Sequence, residues 1–90
     1  MPNRNRYQIQ VSDTAKKNFR RLPAQDQKRV LEALNALGDD PRPRGCVALK
    51  AHMGYRIRVG DYRAIYAVDD AAKMITVLAV KHRREAYRDL

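Results

Sequence analysis

From Arg6 to Val11 the chain alternates, with Tyr7, Ile9 and Val11 separated by polar residues. That period predicts a strand with one buried face. The period then lengthens. Ala15, Phe19 and Leu22 fall at helical spacing, with Ser12 as N-cap and Asp13 supplying a first-turn negative charge. Residues 13–22 are therefore expected to form a short amphipathic helix whose other face is Lys16, Lys17, Arg20 and Arg21. Pro23 closes this helix and opens the next. Val30, Ala33, Leu34 and Leu37 give the second helix, residues 24–37, its apolar stripe, and Gly38 follows as a stop. Helices joined this tightly should form an antiparallel αα-hairpin.

Asp39 to Gly45 reads as a loop by composition, Val47 to Leu49 as a short strand, and Gly54 as a bend. Tyr55–Val59 and Tyr62–Val68 then alternate on either side of the two-residue loop Gly60-Asp61, the pattern of a tight β-hairpin. A second turn follows at residues 69–72. Lys73 to Val80 is apolar almost throughout, which predicts a central strand buried on both faces. The ending, Lys81 to Leu90, is basic and reads as part loop, part short helix or tail. There is no internal repeat, low-complexity tract or linker. The order β-α-α-β-β-β predicts one α+β domain over residues 1–90, with helices packed on an antiparallel sheet. The first strand has no sequence neighbour to pair with and is expected beside the last.

Ninety residues suffice for one modest core. Charge changes the picture more. Nineteen Lys and Arg against ten Asp and Glu give a formal net charge of +9, spread along the whole chain. A folded basic domain fits a nucleic acid or an acidic protein. A membrane fits less well, because there is no long apolar run and no basic amphipathic helix that stands out. Residues 1–6 are polar with no apolar segment behind them, so a cytoplasmic location is expected. Cys46 is the single cysteine; it cannot form an internal disulfide or build a metal site alone, and it reads as a bystander. No metal or cofactor is expected.

The hairpin concentrates this charge. Period two puts Tyr55, Ile57 and Val59 on one face and Arg56 and Arg58 on the other. If Val59 and Tyr62 close the turn, the next rung sets Arg58 opposite Arg63. Three guanidinium groups then share one face. Like charges directly across a ladder destabilise it, so a polyanion is the expected occupant.

Two runs together, Tyr55-Arg56-Ile57-Arg58-Val59-Gly60-Asp61-Tyr62-Arg63-Ala64-Ile65-Tyr66 and Val80-Lys81-His82-Arg83-Arg84-Glu85-Ala86-Tyr87, on the β-α-α-β-β-β layout, resemble the RelE/ParE superfamily of bacterial and archaeal toxins, RelE most closely. The resemblance covers essentially the whole chain. It implies a small toxin that cleaves messenger RNA in the ribosomal A site, against 16S rRNA, and is neutralised by a RelB-type antitoxin. By the same resemblance, Arg56 and Arg58 match two positions that are lysines in the best-known members. Arg63 matches the arginine of the following strand, Arg83 the arginine after the last strand, and Tyr87 the C-terminal tyrosine. The spacing from Arg83 to Tyr87 is shorter than in some relatives. A lysine can serve as a base, whereas arginine stays protonated, so Arg56 and Arg58 cannot do so in the ordinary way.

Metal-independent RNA cleavage needs the 2′-oxygen to attack phosphorus, positive charge around the phosphorane and a proton for the leaving 5′-oxygen. The expected assignment gives Arg63 and Arg83 to the phosphate and leaving group, Arg56 and Arg58 to backbone positioning, and Tyr87 to the nucleophile side. The expected products are a 2′,3′-cyclic phosphate and a 5′-hydroxyl. His82 is a further candidate acid or base, although in extended backbone it points away from Arg83. Lys81 is a candidate base whose orientation the sequence leaves open. Arg84 reads as part of a solvated tail, and His52 lies in a loop. Two other readings compete: a ParE-like inhibitor of DNA gyrase that cuts no RNA, and an RNA-binding module without chemistry. Low aromatic content, with one Phe and no Trp, weighs against the last. The isolated chain is expected to be a monomer that joins its antitoxin in a hetero-oligomer.

Overall fold

The computed structural model describes residues 6–50 and 54–84. Strand β1 (Gln8–Val11) leads into helices α1 (Asp13–Arg20) and α2 (Ala24–Ala36), and strands β2 (Val47–Ala48), β3 (Tyr55–Val59), β4 (Tyr62–Asp69) and β5 (Met74–His82) follow. The Ser12 hydroxyl accepts from the Ala15 N–H at 3.1 Å, the N-cap its position in the sequence predicts. At the joint between the helices, the Gln27 amide donates to the Leu22 carbonyl at 2.9 Å, which satisfies a group that α1 would otherwise leave bare.

The sheet order is β1-β5-β4-β3-β2. The last four strands run antiparallel, and β1 joins beside β5 in parallel, Gln8 opposite Met74 through Val11 opposite Val77. The first strand thus lies beside the last, as expected.

Both helices cover one face of the sheet. Ala15, Leu22, Val30, Leu34 and Leu37 form a single buried cluster with Ile57, Ala64, Tyr66, Ile75, Val77 and Val80. Strand β5 departs from its predicted burial. It is interior in the sheet, but from Met74 to Leu78 buried residues alternate with partly or fully exposed ones, and Leu78 is exposed; Ala79 and Val80 are then buried in succession. Among the described residues the helices lie on one face of it only, so an apolar sequence does not here mean two buried faces.

A polar cluster holds the loop of residues 39–45 against the sheet. Arg42 grips Asp70 with two hydrogen bonds at 2.8 and 3.2 Å and donates Nε–H to the Tyr55 hydroxyl at 2.9 Å, while the Tyr7 hydroxyl also donates to Asp70. Arg42 first, then Tyr7, holds the Asp70 carboxyl down at about 2. Tyr66, buried beneath, donates its hydroxyl to the Pro41 carbonyl at 2.7 Å, and burial pushes its phenol upward.

Candidate active site

The hairpin of β3 and β4 has the register its sequence predicts. Val59 pairs with Tyr62 and Arg58 with Arg63 across Gly60-Asp61. Gly60 has φ +59°, at the first central position, where a type II′ turn needs glycine. Tyr55, Ile57, Ala64 and Tyr66 face the helices, and Arg56, Arg58 and Arg63 share the opposite face, away from the helices.

Strand β5 extends this row. Arg63 pairs with Arg58 on one side and with Lys81 on the other. One rung across three strands therefore carries Arg58, Arg63 and Lys81 side by side. Arg56 stands on the neighbouring rung, opposite Ile65. Arg58 is exposed, Arg56 and Lys81 are half-buried, and Arg63 is only 6% exposed. Arg63 is held from below: its Nη1 donates to the Tyr62 carbonyl at 3.0 Å and to the Gly60 carbonyl at 3.4 Å. A cation fixed in this way is already oriented before an anion arrives.

A β-bulge decides which residues of β5 join the row. From the turn, Asp69 pairs with Met74 and Tyr66 with Val77; then Ile65 pairs with Ala79 rather than Leu78. Leu78 is the extra residue. Without it, Lys81 would fall opposite Tyr62, on the helix face. With it, Lys81 meets Arg63, and His82 falls opposite Tyr62, where the two rings meet edge to face with centroids 5.6 Å apart. His82 is thus on the other face from the arginine row.

The bulge is held by α1. The Ser12 hydroxyl donates to the Leu78 carbonyl at 3.0 Å, and the Asn18 side-chain oxygen accepts from the Val80 N–H at 3.0 Å. Beyond Val77, strand β5 has lost its β1 partner, and these two side chains take over its outer edge. Neither stands out in the sequence for this purpose; Ser12 reads there only as a helix cap.

Arg83 comes to the margin of the site through its backbone, whose N–H donates to the Asp61 carbonyl in the hairpin turn at 2.7 Å. Arg83 and Arg84 are both exposed. Tyr87, His52 and the predicted C-terminal helix or tail beyond residue 84 lie outside the described residues. Beside Arg58, a cleft of about 710 Å³ opens between α2, the loop and β3, with Ala33, Leu37 and Ile57 as apolar wall and Asp40 and Arg44 at its polar side. Among the described residues no three His, Cys, Asp or Glu side chains gather as a metal site, and no helix is long and apolar enough to cross a membrane.

Comparison with known proteins agrees with this architecture. A family profile described as the ParE toxin of type II toxin-antitoxin system, parDE, matches residues 9–87. The toxin RelG of Mycobacterium tuberculosis is 30% identical over 84 residues, which span 91% of this chain and 97% of RelG. In the RelE–RelB complex of Pyrococcus horikoshii, one chain superposes with a TM-score of 0.76 at 32% identity, covering 86% of this chain and 94% of its own length. The toxin–antitoxin complex RelBE2 of M. tuberculosis gives a TM-score of 0.76 at 28% identity, covering 87% of this chain and 99% of that one. The chain is a member of the RelE/ParE superfamily, a RelE-family toxin of type II toxin–antitoxin systems.

Proposed function

We propose that this toxin is a ribosome-dependent endoribonuclease that cleaves messenger RNA in the A site without a metal, by attack of a 2′-hydroxyl on the adjacent phosphate. The observation that carries this reading is the rung Arg58–Arg63–Lys81. Three cations abreast raise the free energy of an empty sheet and lower that of one holding a phosphodiester. Arg63 supplies a fixed charge under the phosphate, Arg56 and Arg58 position the RNA backbone, and Arg83 approaches from the hairpin turn. Tyr87 serves the nucleophile side. The cleft beside Arg58 has room for a neighbouring nucleotide. The products are a 2′,3′-cyclic phosphate and a 5′-hydroxyl.

The partner is an acidic RelB-type antitoxin, and the site of action is the cytoplasmic ribosome, with 16S rRNA around the message. The related RelE–RelB complexes support the antitoxin. Alone, the toxin is a monomer.

The match to a ParE profile favours a second reading, inhibition of DNA gyrase without RNA cleavage. Expression in a host decides between them. The toxin is expected to arrest growth, and co-expression of its RelB-type antitoxin to restore it. Primer extension then shows cuts within codons of translated messages if the ribonuclease reading holds. Intact messages with gyrase-linked DNA breaks would transfer the function to gyrase.

A further inference from the structure

The cleft beside Arg58 has apolar walls, Ala33, Leu37 and Ile57, and two opposite charges, Asp40 and Arg44, at its polar side. We propose that it is a guanine-reading subsite for the message, with Asp40 and Arg44 as its specificity-determining residues; the assignment rests on the ribonuclease reading above.

The cleft continues the cationic row. Arg58 lines it and also stands on the rung with Arg63. Strand β2 pairs only with Tyr55 and Arg56, so among the described residues β3 has no outer partner beyond them, and the cleft opens at that bare edge. A nucleotide next to the one held on the row therefore meets the cleft through Arg58. Its volume of about 710 Å³ is that of a small-molecule site.

The two charges are available and positioned. Both are exposed, and neither forms an ion pair among the described residues. Asp40 accepts the Arg42 N–H on Oδ1 at 3.3 Å, which leaves Oδ2 for a ligand. Arg44 is at the first central position of a turn closed by the Cys46 N–H on the Pro43 carbonyl at 3.0 Å. Gly45, at φ +93°, takes the position a type II turn reserves for glycine. Tyr66 holds the Pro41 carbonyl and Asp70 holds Arg42, so this wall of the cleft is fixed before RNA arrives.

The pair selects one base. Guanine presents two donors, N1–H and the N2 amine, on its Watson–Crick edge and two acceptors, O6 and N7, on its Hoogsteen edge. A carboxylate takes the first pair and a guanidinium the second. Adenine lacks O6, cytosine lacks N7, and uracil has no amine for the carboxylate.

The test uses the full chain on ribosomes programmed with short synthetic messages whose A-site codon carries guanine, inosine or 7-deazaguanine at each position in turn. Inosine lacks the N2 amine; 7-deazaguanine lacks N7. At one codon position the parent toxin should cut the guanine message about 5–100-fold faster than either analogue. Asp40→Asn keeps the acceptor for the Arg42 N–H but loses the charge. It should lower the guanine-to-inosine ratio at least about fivefold and leave the guanine-to-7-deazaguanine ratio within about twofold of the parent; Arg44→Ala should do the converse. Ratios within one preparation do not depend on how much protein is folded, and comparison with the parent removes any preference contributed by 16S rRNA. No preference for guanine at any codon position, or variants whose ratios match the parent, overturns the subsite. Failure of the parent toxin to cut any of the messages overturns the ribonuclease reading itself.

Discussion

Replacing Arg58 by threonine should make this protein more stable and less active. Arg58 is exposed, lies directly opposite Arg63, and makes no ion pair among the described residues. Relief of one like-charge cross-strand neighbour gains roughly 0.2–1 kcal/mol. Threonine, a β-branched residue, adds a few tenths of a kcal/mol in strand preference. The sum is about 0.5–1.5 kcal/mol, which for a domain of this size raises Tm by roughly 2–10 °C. The source of the gain is electrostatic, so it must respond to salt. The Debye length is about 10 Å at 0.1 M and about 3 Å at 1 M, and most of the gain should vanish at 1 M. Urea and thermal unfolding of parent and Arg58→Thr at low and high salt read this directly, and growth on induction reads the lost toxicity. A variant less stable than the parent at low salt, or a gain that ignores salt, would mean that the row is not held against its own repulsion.

Three further outcomes follow from the same structure. Asn18→Ala leaves the partly buried Val80 N–H without its acceptor and should cost about 1–3 kcal/mol in urea unfolding; its loss of toxicity should exceed that stability effect, because the bulge that aims Lys81 loosens. Asp70 is held down at about 2 by Arg42 and Tyr7, so its folded value lies below its ordinary one of 3.8. Its contribution is full above about pH 4 and is lost as pH falls toward 2; parent and Asp70→Asn should therefore differ in stability at pH 6 and converge in acid, as followed by circular dichroism. Gly60→Ala forces a Cβ into the left-handed region at φ +59° and should cost about 1–2 kcal/mol, again by urea unfolding.

How far the sequence disclosed this fold depended on whether a period could be read. Tyr55 to Val68 alternates cleanly around Gly60-Asp61, so turn, register and the Arg58–Arg63 rung are legible residue by residue. Ser12 before an amphipathic stripe likewise announces α1. Strand β5 has no such period. Met74-Ile75-Thr76-Val77-Leu78-Ala79-Val80 is apolar at nearly every position, so nothing marks Leu78 as supernumerary. One inserted residue inverts every side chain after it, which is why the placement of Lys81 and His82 was beyond the reach of pattern alone. The bulge depends on Ser12 and Asn18, 66 and 62 residues away in sequence, and contacts of that range leave no local signature. The near-burial of Arg63 was hidden for a related reason: an alternating strand says which face a residue takes, not how deeply its neighbours cover it.

End-group analysis of messenger RNA from ribosomes treated with the purified toxin separates ribonuclease action from its alternatives. A metal-independent ribonuclease acting through the arginine row cleaves within the A-site codon, leaving a 2′,3′-cyclic phosphate upstream and a 5′-hydroxyl downstream, and Arg63→Ala/Arg83→Ala is inactive. Intact message, fragments ending in a 5′-phosphate, or full cleavage by that double variant would contradict it.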